Sequence, residues 1–113
     1  MRLAESIWSE VRRIVADLAS AHYDELERDG RSGRLSAAEL AEAVRKYGRT
    51  LVLLPDESRE LVEVYPQAGE PARALLDVPL WTKEEGRSDL SLTLSVVERE
   101  GRYRVTMNDL HVL

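Results

Sequence analysis

The chain of 113 residues has no cysteine and no phenylalanine. Without cysteine, disulfides, thiolate metal sites and cysteine nucleophiles are all excluded. Without phenylalanine, a core must be built from leucine, valine and isoleucine, helped by two tryptophans and four tyrosines. Long apolar runs are missing too. No stretch approaches the ~20 residues that a membrane span requires. Residues 1–19 are broken by Arg2, Glu5, Glu10, Arg12, Arg13 and Asp17, so no apolar leader is read there and a cytoplasmic location is the expectation. Basic blocks are also absent. The 16 basic and 21 acidic residues interleave and leave a formal charge of −5, which offers no footprint for nucleic acid. The sequence holds no G-x-S-x-G elbow, phosphate loop, dinucleotide fingerprint or zinc spacing. No cofactor, metal or membrane is therefore expected, and an enzyme is the less favoured reading.

What the sequence does contain is a change of period. Leu3, Ile7, Val11, Ile14, Leu18, His22 and Leu26 recur at three- and four-residue steps, which predicts one amphipathic helix over 3–29. Gly30 and Gly33 mark the break that follows. A second helix is predicted over 37–47. Ser36 and Glu39 have the spacing of a capping box, Leu35 and Leu40 that of a hydrophobic staple, and Gly48 stops the helix.

After Gly48 the period becomes two. TLVLLP, ELVEVYP, ALLDVPLW, DLSLTLSVVE and RYRVTMNDLHVL are strand-like runs separated by proline-, glycine- and acid-rich turns. Leu90, Leu92, Leu94 and Val96 alternate with Ser91, Thr93 and Ser95. Such alternation belongs to a sheet with one covered and one polar face. Tyr103, Val105 and Met107 are in phase, but Leu110 and Val112 are not, which predicts a bulge at Asn108–Asp109. Pro79 cannot donate to a ladder, so its strand is an edge or is bulged there. One α+β domain over 1–113 results, with a helical part (1–48) and a β part (49–113). Two N-terminal helices lie on one face of a curved antiparallel meander of four or five strands. Cystatin-like and NTF2-like folds have a similar order of elements.

The string DVPLWTKEEGRSDLSLTL, followed by YRVTMNDLHVL, resembles a family of small uncharacterised bacterial domains with the patterns LWT-x-EEGRSDL-x-L and a closing D-[LI]-HVL. The resemblance covers roughly residues 50–113 and implies no established activity.

The stretch WTKEEGRSDL is the densest group of functional side chains. It is expected to be a hairpin with Thr82–Ser88 as its loop, Gly86 at positive φ, and Arg87 paired with Asp89 or Glu85. Arg87 inside the Glu84, Glu85 and Asp89 cluster argues against a hard cation. An Asp109–His111 pair with Ser88 or Ser91 can be imagined as a triad, but no nucleophile motif accompanies it. The favoured function is a non-catalytic protein-binding module of the immunity or inhibitor kind. Its epitope would be Trp81, Glu84, Glu85, Arg87 and Asp89, with Ser91, Thr93, Arg104 and Asn108 on the polar face. The alternative is an NTF2-like small-molecule or enzymatic domain, with a pocket between helix and sheet lined by His22, Tyr23, Tyr47 and Asp77. A homodimer through sheet faces or edges is a third reading.

Overall fold

The structure, a computed structural model, describes residues 2–113. Its helices are α1 (Glu5–Ala19), α2 (Tyr23–Arg28) and α3 (Ala37–Tyr47). A 3₁₀ turn, Asp56–Leu61, leads into four strands: β1 (Glu63–Gln67), β2 (Arg73–Thr82), β3 (Gly86–Arg99) and β4 (Arg102–Val112). The strands form one antiparallel sheet in the order β1-β2-β3-β4. The α+β architecture expected from the change of period is the one observed.

The covered face is set by the leucine row. Leu90, Leu92, Leu94 and Val96 on β3 are 1% exposed or less, and Leu76, Val78 and Leu80 on β2 match them. They form one cluster with Ile7, Val11, Ile14 and Leu18 of α1, Leu26 of α2 and Leu40 of α3. Each fully buried leucine of this kind contributes roughly 1.5–3 kcal/mol, so the cluster is the main source of stability.

Three corrections to the sequence reading have physical causes. The predicted helix 3–29 is two helices. Ala21 adopts φ 59°, the His22 N–H donates to the Asp17 carbonyl (2.8 Å), and the Ala21 N–H donates to the Leu18 carbonyl (3.2 Å). This is the Schellman stop, in which a left-handed residue reverses the chain and satisfies the last carbonyls. Glycine usually fills that position. With alanine there, the stop leaves no mark in the sequence. Secondly, TLVLLP contributes only the Leu51–Thr82 bridge, with the Val52 N–H donating to the Trp81 carbonyl and the Lys83 N–H to the Thr50 carbonyl. The run is too short to extend further before Pro55. Thirdly, β3 begins at Gly86, so the hairpin loop is shorter than Thr82–Ser88.

Other features follow the sequence closely. Ser36 Oγ accepts from the Glu39 N–H (3.0 Å), Glu39 Oε1 accepts from the Ser36 N–H (2.9 Å), and Gly48 ends α3 at φ 73°. In β4 the register slips so that Met107 and Asp109 face the consecutive residues Leu94 and Thr93, leaving Asn108 as the extra residue. A second irregularity lies between Pro79 and Trp81. Pro79 falls past the last residue that β1 pairs, Asp77, and before Trp81, where the 50–52 segment takes over. The strand is a local edge at that point, which proline tolerates.

The loop between α2 and α3 holds the outer edge of β4. The Met107 N–H donates to the Arg31 carbonyl (2.7 Å), and Arg34 Nε donates to the Asn108 carbonyl (3.0 Å). A Cβ on Gly33 would lie 2.1 Å from the Met107 carbonyl oxygen, so this close approach requires glycine. Arg31 also bridges Asp17 (2.6 Å) and Asp29 (2.8 Å) through its guanidinium. Burial pushes the Asp17 carboxyl up, but the hydrogen bonds from His22 and Arg31 and the Arg31 charge outweigh it. The net effect holds Asp17 below its ordinary value.

Two predictions follow from these contacts. Ala21→Gly removes the left-handed penalty at the stop and should raise stability by roughly 0.5–1 kcal/mol in denaturant titrations, after the entropy gained by the unfolded chain. Asp17 has a lowered folded pKa, so its contribution is complete above the unfolded value and fades as pH falls through the folded one. Asp17→Asn should therefore be less stable than the wild type near neutrality. Melting curves should show that gap narrowing as pH drops below about 4.

Candidate functional site

The hairpin between β2 and β3 is fixed to the end of α3 and to the residues that follow it. Glu84 accepts from the Thr50 N–H and the Thr50 hydroxyl, both at 2.8 Å. Those bonds hold the Glu84 carboxyl below the usual carboxylate range. Glu85 accepts from the Tyr47 hydroxyl (2.9 Å) and from Thr82 Oγ1 (3.1 Å). The Thr82 oxygen in turn accepts from the Glu85 N–H (3.0 Å), and the Tyr47 oxygen accepts from the Asp89 N–H (3.1 Å). Gly86 has φ 74°, as a turn of this kind demands.

Ser88 explains the irregular register beside the hairpin. Between the pairs Pro79–Ser91 and Trp81–Arg87, Leu80 alone on β2 faces Ser88, Asp89 and Leu90 on β3. Ser88 is buried; its hydroxyl donates to the Leu80 carbonyl (2.8 Å) and accepts from the Leu90 N–H (3.2 Å). The serine thus satisfies backbone groups that the bulge would otherwise strand in the interior.

The side chains expected to form an epitope divide into two groups. Glu84 and Glu85 are engaged by the fold. Trp81 is half-buried against the core cluster, and Arg87 and Asp89 are exposed. The expected pairing of Arg87 with Asp89 or Glu85 is not made: Arg87 enters no ion pair among the described residues. The reason is geometric, since Glu85 turns toward Tyr47 and the Asp89 backbone is pulled to the same hydroxyl. Trp81 and Arg87 are direct partners across the two strands.

The residues proposed to line an internal pocket are not brought together. His22 lies outside α1, exposed at the start of α2, with Nδ1 3.1 Å from Asp17 Oδ1. It left the apolar stripe when the chain reversed at Ala21. Tyr23 packs at the margin of the core, and Tyr47 is committed to the hairpin. Asp77 lies on the sheet face away from the helices and accepts from Thr93 Oγ1 (3.0 Å). Leucine, valine and isoleucine side chains fill the space between helices and sheet. Ser91 and His111 are cross-strand partners, and His111 Nδ1 is 3.3 Å from Asp109 Oδ2, outside hydrogen-bond geometry. No hydrogen bond joins Ser91 to the imidazole, so a nucleophile–base pair is not assembled among the described residues. No group of three or more His, Asp or Glu side chains converges as metal ligands do among those residues.

Comparison with known proteins gives one match. The profile of a family described as Domain of unknown function (DUF7668) matches residues 15–113. No curated protein and no solved structure matches the chain.

Tyr47 is the pivot of the hairpin, because its hydroxyl serves Glu85 and Asp89 together. Tyr47→Phe should cost about 1 kcal/mol, the scale of a hydrogen bond lost at a partly exposed site. Hydrogen exchange should show faster exchange of the Asp89 amide, while amides in the β3 leucine row stay protected.

Proposed function

The chain belongs to the family Domain of unknown function (DUF7668), and from the hairpin we propose that it is a non-catalytic protein-binding module of the immunity or inhibitor kind. The observation that carries this reading is the Trp81–Arg87 pair. The two are direct neighbours across β2 and β3, and the arginine is exposed without an ion-pair partner among the described residues. Tryptophan and arginine are the side chains that most often dominate binding energy at protein interfaces.

Rigidity supports the same reading. A loop already ordered in the free protein costs less to order on binding. Here Thr50, Tyr47 and Thr82 hold Glu84 and Glu85, which fixes the segment that displays Arg87. Glu84 and Glu85 then serve the interface through that rigidity and through their field at its rim. Arg87 offers a forked donor to a partner's carboxylate. Trp81 supplies apolar contact beside it, and Asp89 adds an acceptor.

A pull-down from native cells, read by mass spectrometry and repeated with Trp81→Ala and Arg87→Ala, tests the reading. Each variant should keep the wild-type circular dichroism spectrum. Affinity for the captured partner should fall by roughly 30-fold or more in each, the scale of an interface hot spot. Capture of every partner unchanged by both variants would refute the hairpin as the binding element.

A further inference from the structure

We propose that the sheet face turned away from the helices docks a second copy of this chain, the two faces being related by a two-fold axis near the Leu75–Ser95 row. The inference concerns the part of this face around the Leu75–Ser95 row, further along β2 from Trp81 and Arg87, and does not rest on the binding proposed for them.

The face is defined by alternation. Leu76 and Val78 on β2 and Leu92, Leu94 and Val96 on β3 are buried under the helices. Arg73, Leu75 and Asp77, and likewise Thr93, Ser95 and Val97, therefore point the other way. No described helix packs on that side. The register then sorts its charges. Arg73, Val97 and Arg104 share one row, and Arg99 stands opposite Arg102 beyond it. Toward the other end, Glu63, Asp77, Thr93 and Asp109 share a row.

Arg73, Arg99 and Arg102 thus occupy one end of the face and Glu63, Asp77 and Asp109 the other, while the Arg104 guanidinium turns to the β4 edge against Gly30. None of these arginines is ion-paired among the described residues, and none of the carboxylates meets a lysine or arginine. Like charges directly opposite each other destabilise an antiparallel pair. This face has one such pair at each end, Arg99 with Arg102 and Glu63 with Asp77. Each end carries what the other needs.

Geometry converts that complementarity into one arrangement. Arg73 and Asp77 lie four residues apart on β2, about 13 Å at ~3.3 Å per residue. An axis across the strands through Leu75 reverses the strand direction while keeping each strand above its own copy. Arg73 then lies over the partner's Asp77, and Asp77 over the partner's Arg73. Leu75 meets its own equivalent, and Tyr65, itself 44% exposed, flanks it. Packed sheets lie ~10 Å apart, a gap that arginine side chains from the two faces can bridge. An acidic segment of another protein would answer the arginines alone and leave Glu63 opposed to Asp77. A copy of the same face sets Arg73 against Asp77 twice, once on each side of the axis.

The contact is small. Four strands at ~4.8 Å spacing over about nine residues give roughly 500–600 Å² per copy. That is below the ~800 Å² per partner of a standard stable interface. A reversible, salt-sensitive dimer is the expected form.

Sedimentation equilibrium of the full chain tests this. At low ionic strength the wild type should show a concentration-dependent dimer that dissociates in about 1 M salt, where the Debye length is ~3 Å. Asp77→Lys should raise the dimer dissociation constant by roughly tenfold or more, and Arg73→Glu should do the same. The double variant Arg73→Glu with Asp77→Lys should return close to wild type, because the exchanged charges meet again across the axis. Should Asp77→Lys fail to fold by circular dichroism, Ser95→Arg takes its place. It brings like charges together at the axis and should abolish the dimer. A wild type that stays monomeric to about 1 mM overturns the proposal. So does a dimer that survives these single changes, or one that the double variant does not restore. None of these variants touches Trp81 or Arg87, so pull-down results on the hairpin stand or fall separately.

Discussion

The burial of the β3 leucine row against three short helices is the constraint on which the rest depends. Leu90, Leu92, Leu94 and Val96 are essentially inaccessible, and side chains on a strand alternate faces. A shift by one residue would exchange the whole set with Ser91, Thr93 and Ser95 and place hydroxyls in the core. The register of β2 and β4 is held by the same requirement. Both irregularities in the sheet keep this pattern intact. Asn108 is the spare residue that lets Leu110 return to phase, and Ser88 supplies the bonds that the bulge near Pro79 would leave unmade.

With the inner face fixed, the helices have to fit a limited area, and the chain reversal at Ala21 makes this possible. The reversal returns Leu26 to 0% exposure and sends His22 out to solvent. Arg31 then joins the pieces. Its guanidinium links Asp17 on α1 to Asp29 after α2, while its carbonyl takes the Met107 N–H at the edge of the sheet. One residue thereby couples helix packing to protection of an edge strand that would otherwise present unpaired donors.

The hairpin and the outer face show how the same fold leaves surface for recognition. Several charges of WTKEEGRSDL that look most like an epitope in the sequence are consumed in building the turn. Those left over, chiefly Arg87 beside Trp81, carry the proposed binding. The outer face follows the opposite logic. Its charges are spread over the chain from Glu63 to Asp109 and gather at two ends only through strand pairing.

The sequence by itself determined the secondary-structure period, the capping box at Ser36, the positive φ at Gly86 and the bulge at Asn108. Each of these rests on local chemistry: side-chain alternation, a hydroxyl within reach of a backbone N–H, or a residue without Cβ. The tertiary structure decided what local chemistry leaves open. The stop at Ala21 has no glycine to announce it and goes with the burial of Leu26 against the core. The fate of Glu84 and Glu85 depends on Thr50 and Tyr47, more than thirty residues earlier in the chain. The pocket reading of His22, Tyr23, Tyr47 and Asp77 failed to gather for the same reason: their neighbours are chosen by packing across the sheet, and distance along the chain carries no information about it.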